Sequence, residues 1–246
     1  MRNNVWLITG NAIKLPIPDN SVDLIITHPP YLGIDAERYS RLNSKDQINF
    51  SRDKKKMLKA MNLVNKEMYR VLKPSGSLWI ANGKNENFDS EYVVSTVNNT
   101  DFMYLDFVVQ NGFTPDQSEQ SIATQNITTW HHFSKRKDIY HNPYEVQRHS
   151  NPVWNIRSTN TDSEVDKELS KKYFVEDVMN EKIPENLIKM FSKPGHIVLD
   201  PFGGSALVAA VASKLGRSAI SNDISEDQTA AAKSRLSLMG IQYKEV

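Results

Sequence analysis

The chain has 246 residues, 39% hydrophobic and 24% charged, and 30 Lys and Arg against 29 Asp and Glu leave a formal charge of +1. That length suffices for one large domain with its own core, and the near-neutral balance means that any surface steering a charged partner must be local. The lack of cysteine excludes a disulfide framework, a zinc ribbon and a thiolate nucleophile together. No apolar run approaches the length of a membrane span, and Met1-Arg2-Asn3-Asn4 does not read as a signal peptide. A cytoplasmic location with no membrane partner is therefore the expectation.

Residues 5–112 alternate short β-rich runs with helical periodicity. Val5-Trp6-Leu7-Ile8, Val22-Asp23-Leu24-Ile25-Ile26 and Ser77-Leu78-Trp79-Ile80 read as buried strands. Met57, Met61, Val64, Met68 and Val71 recur at helical spacing, and the break at Pro74-Ser75-Gly76 is expected to end that helix. Residues 114–182 are polar and irregular, with Trp130, His131, His132, Tyr140, His141, Tyr144 and Trp154 scattered through them. Long loops with an edge hairpin are expected there. From Pro184 a helix, a strand at 197–199, a Gly-rich turn and a helix near 205–215 follow. A strand at 218–221 ends in Asn222-Asp223, and Ser225 with Gln228 has capping-box spacing at the head of a last helix closed by Gly240. This order predicts an α/β fold: a mostly parallel sheet with helices on both faces and ligands at the carboxyl ends of the strands.

Two strand ends carry chemistry. Asp200-Pro201-Phe202-Gly203-Gly204-Ser205 lies between a strand and a helix. Adjacent glycines allow close backbone approach to a ligand, helix N–H groups favour a carboxylate or phosphate, and Asp200 at the strand tip suits an amino group. Asp223, ending the next strand, suits a ribose diol. By itself the hexapeptide also fits a plain turn capped by Ser205. Thr27-His28-Pro29-Pro30-Tyr31 follows the second strand. Its prolines stiffen the backbone and remove two N–H donors, leaving carbonyl oxygens, a polar side chain and an aromatic stacking surface. Alone, it also fits a rigid strand exit with a surface tyrosine.

Taken together, the two segments resemble the amino-group DNA methyltransferases that use S-adenosylmethionine. Their catalytic motif is [Asp/Asn/Ser]-Pro-Pro-[Tyr/Phe/Trp] and their cofactor motif is Asp-Pro-Phe-x-Gly-Ser-Gly. The catalytic motif comes first here, which is the permuted order of that family's beta group. Gly10-Asn11-Ala12, Pro18-Asp19-Asn20-Ser21-Val22-Asp23-Leu24, Arg70-Val71-Leu72-Lys73-Pro74-Ser75-Gly76, Trp130, Tyr144-Glu145, Trp154 and the stretch from Ile183-Pro184 to Asp200 match in order as well. The resemblance covers about three quarters of the chain. It implies a Rossmann-like seven-stranded sheet, one methyltransferase domain over residues 1–246, and a DNA-recognition segment within 114–182.

The resemblance also implies roles. His28 and the Pro29 carbonyl would accept hydrogen bonds from an exocyclic amine, Pro30 would complete the rigid turn, and a flipped base would stack on Tyr31. Asp200 and Ser205 would hold the methionine end of the cofactor, Pro201, Phe202, Gly203 and Gly204 would form its turn with Phe202 against the adenine, Asp223 would take the ribose, and Asn11 would stand near the adenine. Three departures accompany the match. His28 replaces Asp, Asn or Ser, and a neutral imidazole accepts one bond only until it is protonated, at roughly pH 6.5 in a free side chain. Ala206-Leu207 replaces Gly-Thr, and Asn11 replaces Asp.

Double-stranded DNA is the expected partner. Lys135-Arg136-Lys137 reads either as a solvated charge run or as a phosphate contact. The short stretch between Trp154 and Pro184 suggests that a homodimer, a partner subunit or the loop at 32–49 completes recognition. His131, His132 and His141 have no carboxylate at ligand spacing, so loop or surface histidines are expected and no metal site. The neutral acceptor at position 28 and the Asn82-Gly83 strand end resemble cytosine-N4 enzymes more than adenine-N6 enzymes, so cytosine N4 is the expected target. An adenine-N6 enzyme, an RNA substrate and a weak or inactive nucleic-acid-binding relative are the alternatives.

Overall fold

The computed structural model describes residues 4–29, 54–83, 86–112, 127–157, 159, 163–173, 175 and 178–246. Its strands are β1 (Val5–Thr9), β2 (Val22–Thr27), β3 (Leu72–Gly83), β4 (Met103–Asn111), β5 (Ile127–Ser134), β6 (Val153–Trp154), β7 (Ile197–Asp200), β8 (Ser218–Asp223) and β9 (Tyr243–Glu245). Its helices are α1 (Lys54–Val71), α2 (Glu86–Asn99), α3 (Pro143–Arg148), α4 (Glu164–Tyr173), α5 (Lys182–Phe191), α6 (Leu207–Lys214) and α7 (Glu226–Leu238). Among the described residues the sheet has nine strands in the order β6-β4-β5-β3-β2-β7-β8-β1-β9. Every neighbouring pair is parallel except the two made by β5, which runs against both β3 and β4.

The apolar runs explain the layering. All six residues of β2 are buried, as expected for a central parallel strand covered on both faces. Its side chains alternate: Leu24 and Ile26 join a core with Leu187, Val208 and Leu236 of the α5–α7 face, while Ile25 joins Met57, Met61, Val64 and Met68 of α1. Each such side chain removed from water contributes about 1.5–3 kcal/mol.

From β2 the chain crosses through α1 to β3 on one side, and from β7 through α6 to β8 on the other. The strand order therefore reverses between β2 and β7. Their carboxyl ends flank the crevice in which doubly wound sheets bind ligands.

Two expectations need correction. The sheet has nine strands, not seven; the extra edge strands β6 and β9 span two and three residues, too few to show alternation. The helix ends at Val71, just before Pro74-Ser75-Gly76 as its sequence implies, and β3 begins directly at Leu72. Gly76 permits this: a Cβ there would stand 2.8 Å from the Asp23 carbonyl and 2.7 Å from Leu72 Cδ1.

The second correction is β5, which fills an inner position of the sheet where the sequence suggests loops and an edge hairpin. Residues 130–134 are buried, and both histidines there make a side-chain contact. His132 Nε2 lies 3.0 Å from Ser77 Oγ and its ring stacks on Trp79 at 4.3 Å. His131 Nδ1 lies 3.2 Å from the Tyr104 hydroxyl. Burial pushes the His131 and His132 imidazoles down to about 4 and about 3. They are neutral core residues, not loop or surface histidines. No cluster of metal-ligating side chains occurs among the described residues. Nor is any described helix long and apolar enough to cross a membrane.

Candidate active site

At the end of β2, Thr27 is fully buried, Pro29 is buried and His28 is half-buried. The His28 ring lies 5.9 Å from Trp130 of β5, centroid to centroid. Trp130 is in turn anchored by donation from Nε1 to Gln110 Oε1 (3.2 Å). Pro30, Tyr31 and the loop at 32–49 lie outside the described residues.

At the end of β7, Asp200 is 3% exposed. Its Oδ1 accepts from Thr27 Oγ1 (2.8 Å) and from the Phe202 backbone N–H (3.1 Å). The first of these bonds crosses the switch point and ties the His28 strand to the Gly-rich turn. Burial pushes the Asp200 carboxyl up to about 7, against the pull of those two donors and with a smaller push from the charge of Asp223.

The turn itself is held by backbone geometry. Gly203 donates to the Asn222 carbonyl (2.7 Å), and a Cβ at Gly203 would stand 1.9 Å from Ser221 Oγ and 3.1 Å from Ser221 Cβ, so any side chain there would force Ser221 to move. Gly204 has φ +49° and Ala206 has φ +60°. For Ala206 this left-handed conformation costs about 1–2 kcal/mol. It stands where the resemblance leads one to expect glycine, the residue that adopts this geometry freely.

Asp223 caps both loops at once. Its Oδ2 accepts from Gly204 N–H and its Oδ1 from Ser225 N–H, each at 2.9 Å. Burial raises the carboxyl from its ordinary value while these backbone donors pull it back. A carboxylate has about four lone-pair sites, so acceptor capacity for a ligand hydroxyl is left. Asn222 Nδ2 donates to the Gly10 carbonyl (3.0 Å) and the Pro201 carbonyl (2.9 Å), while its buried Oδ1 has no hydrogen-bond partner among the described residues. Asn11 follows Gly10 and its Oδ1 accepts from Ile13 N–H at 3.1 Å.

His28, Pro29, Asn11, the Asp200–Ser205 turn and Asp223 thus converge at the carboxyl ends of four adjacent strands, β2, β7, β8 and β1. Two carboxyls that burial makes costly as bare anions, together with an orphaned amide oxygen, suit a ligand that donates hydrogens and carries positive charge.

Lys135-Arg136-Lys137 is not part of this cluster. Ser134, just before it, pairs with Ser77 of β3, which pairs in turn with Leu24 toward the amino end of β2, away from the crevice. Along β5 the level of His28, at Trp130, is four residues from Ser134, roughly 14 Å at about 3.4 Å per residue. Lys135 Nζ is engaged there by Asn20 Oδ1 (2.7 Å) and stands 4.4 Å from the centre of the Tyr69 ring.

Four residues at the crevice went unread in the sequence. Thr27 and Asn222 look like ordinary strand residues, because their role is to bond across to a neighbouring strand. Arg235 and Asp166 form a buried ion pair behind Ser205. The available signal was an arginine placed on the apolar stripe Ala231, Ala232 and Leu236 of α7.

The chain is 29% identical over 248 residues to the type II methyltransferase M.HpaI of Haemophilus parainfluenzae, covering 94% of this chain and 73% of that protein. It is 27% identical over 251 residues to the type II methyltransferase M.HinfI of Haemophilus influenzae, covering 94% and 67%. Among solved structures, the cytosine-N4-specific PvuII DNA methyltransferase superposes with a TM-score of 0.78 at 18% identity, covering 96% of this chain and 87% of that one. The complex of M1.HpyAVI with S-adenosylmethionine superposes with a TM-score of 0.66 at 18% identity, covering 94% and 98%. The family model N6_N4_Mtase, described as DNA methylase, matches residues 22–234, and the chain therefore belongs to the N6/N4 family of DNA methylases.

Proposed function

We propose that this protein transfers a methyl group from S-adenosylmethionine to the N4 amino group of cytosine in double-stranded DNA, with residues 1–246 acting as one cytoplasmic methyltransferase domain. The observation that carries the reading is the Thr27–Asp200 hydrogen bond (2.8 Å), which holds the His28-Pro29 tip beside the Gly-rich turn. The donor and acceptor inventory of the crevice fits the cofactor. Asp200 suits its ammonium group, Asp223 its ribose hydroxyls, the half-buried Phe202 ring its adenine, and the Asp200–Ser205 turn its methionine end. The cofactor supplies an electrophilic methyl group on a sulfonium sulfur.

The protein's own contribution is acceptance and placement. A cytosine amine is a poor nucleophile because its lone pair is conjugated into the ring. Acceptors at the His28 imidazole and the Pro29 carbonyl draw its hydrogens and localise that pair. Holding the amine in line with the methyl group supplies much of the remaining acceleration. Tyr31 provides the stacking surface for the flipped base. The neutral acceptor at position 28 favours cytosine over adenine, and the likeness to the cytosine-N4-specific PvuII enzyme agrees. The stretch between Trp154 and Pro184 is short for base-specific readout, so a second copy, a partner subunit or the loop at 32–49 completes recognition.

The deciding assay incubates the protein with labelled S-adenosylmethionine and DNA, followed by nucleoside mass spectrometry. N4-methylcytosine is expected. N6-methyladenine would overturn the choice of base, and cofactor binding without transfer to DNA or RNA would leave a non-catalytic binding subunit. Within an active preparation, His28→Ala is expected to lower kcat by about 10²-fold or more, the range of a positioned hydrogen-bonding or proton-accepting group, with His28→Ser retaining more activity. An unchanged rate in His28→Ala removes His28 from the mechanism.

A further inference from the structure

Against the Gly-rich turn, Arg235 of α7 is 2% exposed. Its Nε donates to the Ser205 carbonyl at 2.7 Å, and its Nη2 donates to Ser205 Oγ at 3.0 Å. The same Nη2 pairs with Asp166 Oδ1 of α4, a helix otherwise fastened to α7 by Leu169 and Ala231. A buried ion pair is a poor way to gain stability, since desolvation offsets most of the attraction. This one is aimed at a single residue of the turn. Engaging both the carbonyl and the hydroxyl oxygen of Ser205 fixes the peptide plane leading into Ala206, whose φ of +60° needs external support. It also occupies an acceptor position of the hydroxyl, so that its hydrogen is available to an acceptor on a ligand.

We propose that Arg235, aimed by Asp166, is a positioning residue for cofactor binding. It sets the Ser205 hydroxyl as a donor to the carboxylate of an amino-acid-bearing ligand and holds the 203–206 turn in its binding shape. The inference rests on the assignment of that turn to the cofactor. It further makes α4, which lies between β6 and α5, an integral support of the cofactor turn.

Calorimetry with S-adenosylhomocysteine tests this without DNA or turnover, on full-length protein whose melting curve is recorded first. The parent is expected to bind with one site, and Asp200→Ala to weaken binding by about tenfold or more. Arg235→Lys, which loses the planar fork, is expected to weaken it by about tenfold at unchanged stoichiometry. Asp166→Asn, nearly isosteric and free of a deleted side chain, is expected to weaken it about threefold to tenfold. Because Arg235 acts through Ser205, the losses in Ser205→Ala and Arg235→Lys should not multiply in the double variant. A purely structural role would lower the melting temperature or the stoichiometry and leave the dissociation constant of the folded fraction unchanged.

If Asp166→Asn and Arg235→Lys bind within about twofold of the parent while Asp200→Ala is impaired, the positioning role is wrong and the cofactor turn stands. If Asp200→Ala binds as well as the parent, or the parent does not bind, the cofactor reading itself fails and the inference falls with it. Should Arg235→Lys not fold, Asp166→Asn decides alone.

Discussion

Asp200 shows how one buried side chain links the chemistry of the crevice to pH. Its carboxyl is raised from 3.8 to about 7. Between roughly pH 4 and pH 7 it is protonated in the folded protein and ionised in the unfolded chain. Folding takes up a proton in that window, and the stability contributed by this group falls as pH rises through it. A cationic amino group beside Asp200 favours the ionised form, so ligand binding below pH 7 must expel the proton. The affinity for S-adenosylhomocysteine is therefore expected to rise with pH by up to about tenfold per unit and to level off above about 7. Calorimetry in buffers of different ionisation enthalpy at pH 6 should register that proton release, and Asp200→Asn should abolish it. A flat profile in the parent would show that Asp200 does not face the amino group. Ala206 gives a second prediction at this scale. Relief of its left-handed backbone by Ala206→Gly, about 1–2 kcal/mol, is offset by a lost buried methyl, about 0.8 kcal/mol, and by the freer unfolded chain, about 0.4–1 kcal/mol. Urea denaturation of Ala206→Gly should thus lie within about 1 kcal/mol of the parent, whereas the β-branched Ala206→Val should lose more than about 2 kcal/mol.

Elements meet here with little spare chain, and glycine marks the places. α1 ends at Val71 and β3 starts at Leu72, so the strand must pass close under its own first residue and against Asp23. Gly76→Ala is expected to destabilise by about 1–3 kcal/mol, the cost of forcing atoms into a filled space. Equilibrium urea unfolding measures it, and a change below about 0.5 kcal/mol would mean that β3 shifts without strain. At the carboxyl end of α7, Gly240 at φ +67° follows the helix as its composition announced. At the amino end, Ser225 Oγ accepts from Gln228 N–H at 3.3 Å, as the spacing of the two residues predicted. β5 is the opposite case. Its run of Thr, Trp, His, Phe and Ser looks polar along the chain, and its inner half is buried with Trp130 and His131 bonded to β4 and His132 bonded to β3.

For the whole molecule, the near-zero net charge places the burden of DNA attraction on local surface. The sheet divides the basic residues between its two ends. Lys135, Arg136 and Lys137 lie at the end remote from the crevice, whereas Arg157, exposed and just past β6, lies at the crevice end, where its carbonyl accepts from Gln110 Nε2 (3.1 Å). Neutralising the triplet to alanine is expected to leave DNA affinity within about twofold, while Arg157→Ala should weaken it and lower the salt slope by about one phosphate contact. Fluorescence anisotropy across a salt series separates the two. Loss of affinity on removing the triplet would require DNA to reach around the sheet, or a second copy to present that end to it.

Local sequence was enough for the class of fold, for the His28-Pro29 and Asp200–Ser205 strand tips that meet at the crevice, and for most of the helices facing the core. These depend on interactions a few residues apart: apolar spacing, caps, and the steric demands of Gly203 and of Pro29. Asp200 and His28 were legible as a pair only through their family resemblance, because they stand 172 positions (200 − 28) apart in the chain. Tertiary structure alone decided that Thr27 bonds to Asp200, that Asp223 spends both oxygens on backbone N–H groups, and that Arg235 and Asp166 stand behind Ser205. It also decided that the two central histidines are buried and that the basic triplet faces away from the crevice. The physical reason is the same in each case: a hydrogen bond or an ion pair between distant segments, and the end of the sheet at which a loop emerges, follow from strand order and direction, which no local pattern encodes.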